Sequence, residues 1–334
     1  MTKHLIYFDT TIWNVLAQRS PSAASSCQSL SERGIYVTLG LNAYFEMLKS
    51  FYGKRLDARA RGRKLFACVH ECLDSGVRII KTWEEILIEE SKKTLDKTSS
   101  IDLFCDAELQ RRLRSDASDL ASGKIHGWTR ELMLKRDLQS EQVRNFASQS
   151  ISRQPDLVRD LRAVEPAALS TFLDEQVGGP TGCHLLAKYL SQIFPMFKET
   201  LPMAADELAT MLLESSSNRV ARAIVRSDIY QNWRAARKDC TVVQQSVPDD
   251  SYHVVNAGYC DQFVTEDRDG QADAASHALF DITASVYRDR QVPFFHWLEE
   301  QIQLSLGLAF MEEHRETFRA LASPNGHFPS DVSS

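Results

Sequence analysis

The stretch HLIYFDTTIWNVLAQ, residues 4–18, decides how the chain begins to fold. Its first five residues are an apolar run that stops at Asp9. TTIWNVLAQ then supplies capping residues followed by apolar side chains at helical spacing. A strand running straight into a helix is how a parallel α/β sheet starts. The pattern repeats at IYVTL (35–39), a β-branched run that leads into the helix LNAYFEMLKSFYG (41–53). Residues 19–33 between them, rich in Ser and Ala, read as a loop. VRIIK (77–81) is a third strand, set between the helices RGRKLFACVHECLDSG (61–76) and WEEILIEESKKTL (83–95).

Beyond residue 95 the β-branched clustering disappears. Long amphipathic stretches follow, broken near Pro155, Pro166, Gly178-Gly179-Pro180 and Pro202. Strand character returns at CTVVQQ (240–245) and DQFVTED (261–267), and helices are expected around 272–289 and 296–321. The chain therefore divides into a first α/β part (1–95), an all-α insertion (96–239), a second α/β part with C-terminal helices (240–322) and a disordered tail (323–334).

The 334 residues suffice for one large domain or two modest ones, and 43% hydrophobic with 25% charged residues is ordinary for a soluble globular protein. A net charge of -6 excludes a protein that coats nucleic acid through a global positive field, so any such contact must use local basic patches. No apolar run is long enough to span a membrane, and MTKHLIYFDTT does not read as a signal peptide. A cytoplasmic setting follows. The seven cysteines are scattered; Cys68 and Cys72 flank His70 on a predicted helix, but no second pair stands at ligand spacing, and buried free thiols are the expectation.

Four acids fall at the ends of these elements. Asp9 follows the first strand, Glu46 lies early in the helix after the second, Asp250 precedes SYHVVNAGYC, and Asp267 follows QFVT. In an open parallel sheet the carboxyl ends of strands and the adjoining helix starts face one crevice. Carboxylates gathered there raise one another's pKa unless a cation neutralises them. All-oxygen ligands suit Mg²⁺ or Mn²⁺, and such an ion polarises a phosphoryl oxygen and supplies a hydroxide-like nucleophile. Singly, Asp9 and Asp250 also read as helix caps and Glu46 as a solvated helix residue; together they read as a metal site.

YFDTTIW (7–13), LNAYFEML (41–48) and DDSYHVVNAGYCDQFVTED (249–267) resemble the PIN-domain family. Its pattern is an apolar strand ending in an Asp-Thr pair and an acid early in the second helix. An Asp three residues before an apolar or His position comes next, then a strand ending in Thr-x-Asp. Asp9, Glu46, Asp250 and Asp267 fall on the acidic positions, Thr11 on the small polar position and Thr265 on the Thr of Thr-x-Asp. Asp249 is an alternative third acid; Asp250 is preferred because it sets His253 at the family offset. The resemblance implies a PIN-like (Rossmann-like) three-layer sandwich with a central parallel sheet, and Mg²⁺- or Mn²⁺-dependent cleavage of RNA. It covers under a third of the chain.

His253 itself reads as packed and hydrogen-bonded rather than catalytic. Glu266 and Asp269 read as solvated loop acids. Two basic stretches are candidates for nucleic-acid contact: KRLDARARGRK (54–64), with Arg59 and Arg63, and NRVARAIVRSDIYQNWRAARK (218–238), with Arg219, Arg222 and Arg226 near Tyr230 and Trp233. Solvated helix faces would look the same. The competing functions are a silent or gated scaffold binding RNA or a protein regulator through the insertion, and a DNA nuclease. A haloacid-dehalogenase-like phosphatase needs an acid where Thr11 stands, and a nucleotide-binding Rossmann enzyme needs a glycine-rich turn that is missing after the first strand.

Overall fold

A computed structural model describes residues 3–52, 56–98, 100–131, 134, 155–237, 247–279, 282–288 and 291–315. The expected strand at 240–245, the tail 323–334 and the side chains of Asp249 and Asp250 lie outside the described residues.

Five parallel strands make one sheet: β1 (His4–Phe8), β2 (Ile35–Gly40), β3 (Arg78–Ile80), β4 (Gln262–Thr265) and β5 (Thr283–Val286), in the order β3-β2-β1-β4-β5. The chain is α/β. β1 is central because Ile6, Tyr7 and Phe8 are apolar or aromatic without interruption and are buried completely. From β1 the chain steps outward to β2 and β3, then returns to the other side of β1 for β4 and β5. The strand order therefore reverses between β1 and β4, the kind of point where α/β sheets open a crevice. The register there pairs Tyr7 with Phe263 and Phe8 with Val264. Asp9 and Thr265 thus leave their strands side by side.

Helix α1 (Thr10–Arg19) begins at once, its N-terminus capped by Asp9. Residues 23–32 depart from the expected loop and form α2 (Ala23–Glu32). Ala23, Cys27 and Leu30 recur at helical spacing and bury, which outweighs the serine content. Then come α3 (Leu41–Tyr52), α4 (Leu56–Asp74), α5 (Trp83–Leu95, with a Thr82/Glu85 capping box) and α6 (Ala107–Ala121). Helix α4 packs against α1, α2, α3 and α6.

The segment 96–239 contributes further helices: α7 (Pro155–Ala163), α8 (Leu169–Gly178), α9 (Pro180–Met196), α10 (Ala205–Glu214) and α11 (Arg219–Arg237). Their core is not their own. Leu186, Leu190, Ile224 and Tyr230 belong to the same hydrophobic cluster as Tyr7 and Phe263 of the sheet and Trp83 of α5. The chain divides into two compact units, Met1–Arg288 and Asp289–Ser334, and the helical segment lies wholly within the first.

Helix α12 (Val247–Asn256) leads into β4, and Asp250 stands in its first turn rather than before it. After β4, the helix expected over 272–289 is only α13 (Asp273–Ala278), and Thr283–Val286 is a strand instead. Short β-branched segments follow the partner available, here the open edge of β4. The second unit carries α14 (Phe294–Glu313). Among the described residues no helix is long and apolar enough to cross a membrane.

One long-range contact ties the helical segment to the sheet. Glu90 of α5, fully buried, accepts the backbone N–H groups of Val220 and Ala221, each at 2.8 Å, and the Tyr259 hydroxyl at 2.6 Å. The first N–H groups of a helix have no intrahelical partner, so this carboxylate caps α11 from outside. Burial pushes the Glu90 carboxyl up to about 7, against the downward pull of those donors. The folded state therefore holds this proton more tightly than the unfolded chain, whose carboxyl keeps the ordinary value of 4.5. The associated stability is fully present below 4.5 and is lost as pH rises toward 7, by an amount on the order of 3 kcal/mol. Urea titrations between pH 5 and 8 are expected to show this loss in the wild type and a flatter profile in Glu90→Gln. Parallel profiles would contradict the assignment.

Candidate functional site

Asp9 has no exposed surface. Its Oδ1 accepts the Ile12 N–H at 3.0 Å and the Thr11 hydroxyl at 2.7 Å, and its Oδ2 accepts the Thr265 hydroxyl at 2.5 Å. These bonds follow from the register, which sets Thr265 beside Asp9, and from the start of α1, which turns Ile12 N back toward it. Burial raises the Asp9 carboxyl above its ordinary value, opposed by Thr265, Thr11, Ile12 N and the nearby His253. Among the described residues no lysine or arginine pairs with it.

The same two threonines hold the turn after β4. Thr265 Oγ1 accepts the Asp267 N–H at 2.9 Å, and Thr11 Oγ1 accepts the Glu266 N–H at 3.1 Å. Asp267 turns its carboxylate onto its own turn, where Oδ1 accepts Gly270 N–H at 3.0 Å and Oδ2 accepts Gln271 N–H at 3.2 Å. It caps the residues that follow it. A Cβ at Gly270 would stand 2.0 Å from Asp267 Oδ2, so a side chain there would push the carboxylate off this turn.

Glu46 lies in α3, with 39% of its side chain exposed. Its Oε2 meets His253 Nε2 at 2.7 Å and the Thr10 hydroxyl at 2.5 Å. Burial acts upward on this carboxyl, but the hydrogen bond and charge of His253, with Thr10 and Lys49, hold it down at about 2. His253 is buried on α12, and its Nδ1 meets the Tyr7 hydroxyl at 3.1 Å. It is packed and hydrogen-bonded through both ring nitrogens. Thr10 and Tyr7 are members of the site that the sequence did not single out. Tyr7 lies two residues before Asp9, whose extended backbone continues the line of β1, and this spacing of two is the one local signal available. Consecutive residues join the two halves, since Thr10 bonds Glu46 and Thr11 bonds Asp9.

In the basic stretch 218–238 several of the side chains singled out are engaged inside the protein. Arg226 is 4% exposed, ion-paired to Asp174, and donates to the His277 carbonyl at 2.8 Å. Arg222 donates to the Leu213 carbonyl at 3.0 Å, Trp233 Nε1 to the Val164 carbonyl at 2.9 Å, and the Tyr230 hydroxyl to Asp273. Val220, Ala221, Ile224 and Ile229 bury around them, so this face of α11 packs into the core. Arg219 is half-buried at the start of α11. On α4, Arg59 and Arg63 are exposed, as the sequence suggests. Cys68 and Cys72 are buried free thiols.

Whether a divalent cation fits turns on two observations. The donors at the crevice are hard oxygens, and Asp9 is a buried carboxylate without a paired cation among the described residues, which suits Mg²⁺ or Mn²⁺ in chemistry. The described side chains do not complete a coordination sphere, for among them no group of three or more His, Cys, Asp or Glu stands ready to hold a metal. Asp9 and Asp267 thus share one hydrogen-bonded network through Thr265, and Glu46 belongs to a second one through Thr10 and His253, rather than the three forming a finished cage. Comparison with family models, with curated proteins and with solved structures finds no match.

Thr265 donates to Asp9 and accepts from Asp267 N–H, so its hydroxyl joins two candidate site residues. Thr265→Val should cost about 1–3 kcal/mol in urea unfolding, because it strips a donor from a buried carboxylate. Thr265→Ser, which keeps the oxygen, should lose less. Equal losses in the two variants would assign the effect to packing alone.

Proposed function

We propose that the protein is a Mg²⁺- or Mn²⁺-dependent nuclease that cleaves phosphodiester bonds, with RNA as substrate class, on a PIN-like three-layer sandwich. The observation that carries this reading is the buried Asp9 carboxylate at the strand reversal between β1 and β4, held by Thr11 and Thr265 and flanked by Glu46 and the 265–267 turn. Asp9, Glu46, Asp250 and Asp267 would hold the ion. When bound, a divalent cation supplies Lewis-acid polarisation of a phosphoryl oxygen and a water of lowered pKa.

The chain's own residues orient and charge this site. Thr11, Thr265 and Ile12 N fix both oxygens of Asp9 and oppose the effect of burial, favouring the carboxylate form. His253 and Thr10 keep Glu46 ionised. The free thiols and the lack of a membrane-crossing helix among the described residues are compatible with a cytoplasmic setting. RNA rests on the resemblance of residues 7–13, 41–48 and 249–267 to the PIN pattern.

A second reading, a gated or silent scaffold that binds RNA or a protein regulator through the helical segment, is favoured by one observation. Glu46 and Asp267 already spend hydrogen-bonding capacity inside the protein. Labelled single-stranded RNA and DNA incubated with Mn²⁺, Mg²⁺ or EDTA separate the readings. Cleavage of RNA that needs the metal, and that drops roughly a hundredfold or more in Asp9→Asn and Asp250→Asn, is the expected result. Preferential cutting of DNA would correct the substrate class. Metal uptake without cutting of either would favour the gated form, and cleavage indifferent to EDTA and to both substitutions would refute the nuclease reading.

A further inference from the structure

Beyond the acids, a second chain of contacts runs through the site with no evident part in binding an ion. Tyr7 stands on the central strand with its ring stacked on Phe263, centroids 5.8 Å apart. Its hydroxyl lies against Gly40 at the end of β2, where a Cβ would fall 2.2 Å from the oxygen. The ring is confined by strands on both sides, and only glycine at position 40 leaves room for it. The hydroxyl meets His253 Nδ1 at 3.1 Å, and His253 Nε2 meets Glu46 Oε2 at 2.7 Å. Sheet, helix α12 and helix α3 are thereby linked through one imidazole. Among the described residues Glu46 Oε1 takes no hydrogen bond, so one oxygen is fastened and the other is left over.

We infer that Tyr7 and His253 form a buried strut that positions the Glu46 carboxylate, His253 acting directly and Tyr7 through it. Neither is a catalytic residue. The inference rests on the proposed metal-dependent reading for what Glu46 does, and on the geometry alone for how Glu46 is held. The direction of the chain is set by Glu46. As a carboxylate it can only accept, so His253 Nε2 carries the hydrogen. Nδ1, left without a hydrogen, then accepts from the Tyr7 hydroxyl, so both ring nitrogens are paired. Thr10, on the same Oε2, supplies a second donor and limits rotation of the carboxylate. A strut of this kind matters because ligands held by an outer partner lose little freedom on binding, and removing that partner typically weakens a metal 10- to 100-fold.

Two measurements on the intact protein test this. Two-bond proton–nitrogen spectra of the imidazole rings should show His253 as the Nε2–H tautomer, its signals recognised among nine histidines by their loss in His253→Gln. They should move in both Glu46→Gln and Tyr7→Phe. Calorimetric titration with Mn²⁺ should show binding roughly 10- to 100-fold weaker in His253→Gln, and weaker by a smaller factor in Tyr7→Phe, which deletes only the hydroxyl. Thermal unfolding of each variant checks the fold, and Tyr7→Phe carries the test if His253→Gln does not fold. Wild-type binding of Mn²⁺ with both variants within twofold of it would overturn the strut while leaving the metal reading intact. No Mn²⁺ uptake by the wild type would instead defeat the metal reading. The spectra alone then decide the strut, and an Nδ1–H tautomer indifferent to Glu46→Gln would overturn it.

Discussion

A carboxylate with no exposed surface ends the central strand, and burying it is costly unless its oxygens are satisfied. Asp9 meets that demand with donors from three places: its own helix start, the next residue but one, and a strand 256 positions away. The last of these exists only if β4 pairs with β1 in the observed register. A slip of one residue would turn Thr265 to the other face and strand the acid. The requirement of one side chain thus bears on the pairing of the two strands that define the crevice.

The helical segment supports the same arrangement from the other side. It takes the chain away after α5 and returns it at α12, and the entropy lost in ordering so long a segment must be offset by its contacts. They do so by sharing a core with the sheet and by the Glu90 cap on α11, which also binds Tyr259 just ahead of β4. Helix α12 is thereby placed so that His253 lies under Glu46 and over Tyr7. What looks in sequence like an insertion is part of the frame that sets the site.

Much of this was legible where the cause is local. β1 and α5 begin and end where the stretches HLIYF and WEEILIEESKKTL do, because strand burial and capping act within a few residues. The rule for strand ends in parallel sheets set the ends of β1 and β4, and so Asp9 and the turn before Asp267, at one crevice. Misreadings occurred where a distant partner decides. Arg226 looks like a surface cation until Asp174 and the His277 carbonyl are beside it. Thr283–Val286 becomes a strand because β4 offers an edge, and α2 is a helix because Ala23, Cys27 and Leu30 find a core. Tyr7 and Thr10 escaped notice because their roles appear only when α3 and α12 meet over β1, and nothing near them in sequence announces that meeting. Asp267 satisfies the motif, yet its oxygens cap the turn that follows, in the space that the absent side chain of Gly270 leaves open.

The most direct measurement is an anomalous-scattering map from crystals of the protein grown or soaked with Mn²⁺. A peak about 2 Å from an oxygen of Asp9, with Glu46 Oε1 in the same sphere and His253 still on Oε2, is the predicted result. A map without density at that position at saturating Mn²⁺, with Asp9 still held only by Thr11, Ile12 and Thr265, would contradict the claim that this buried carboxylate exists to hold a cation.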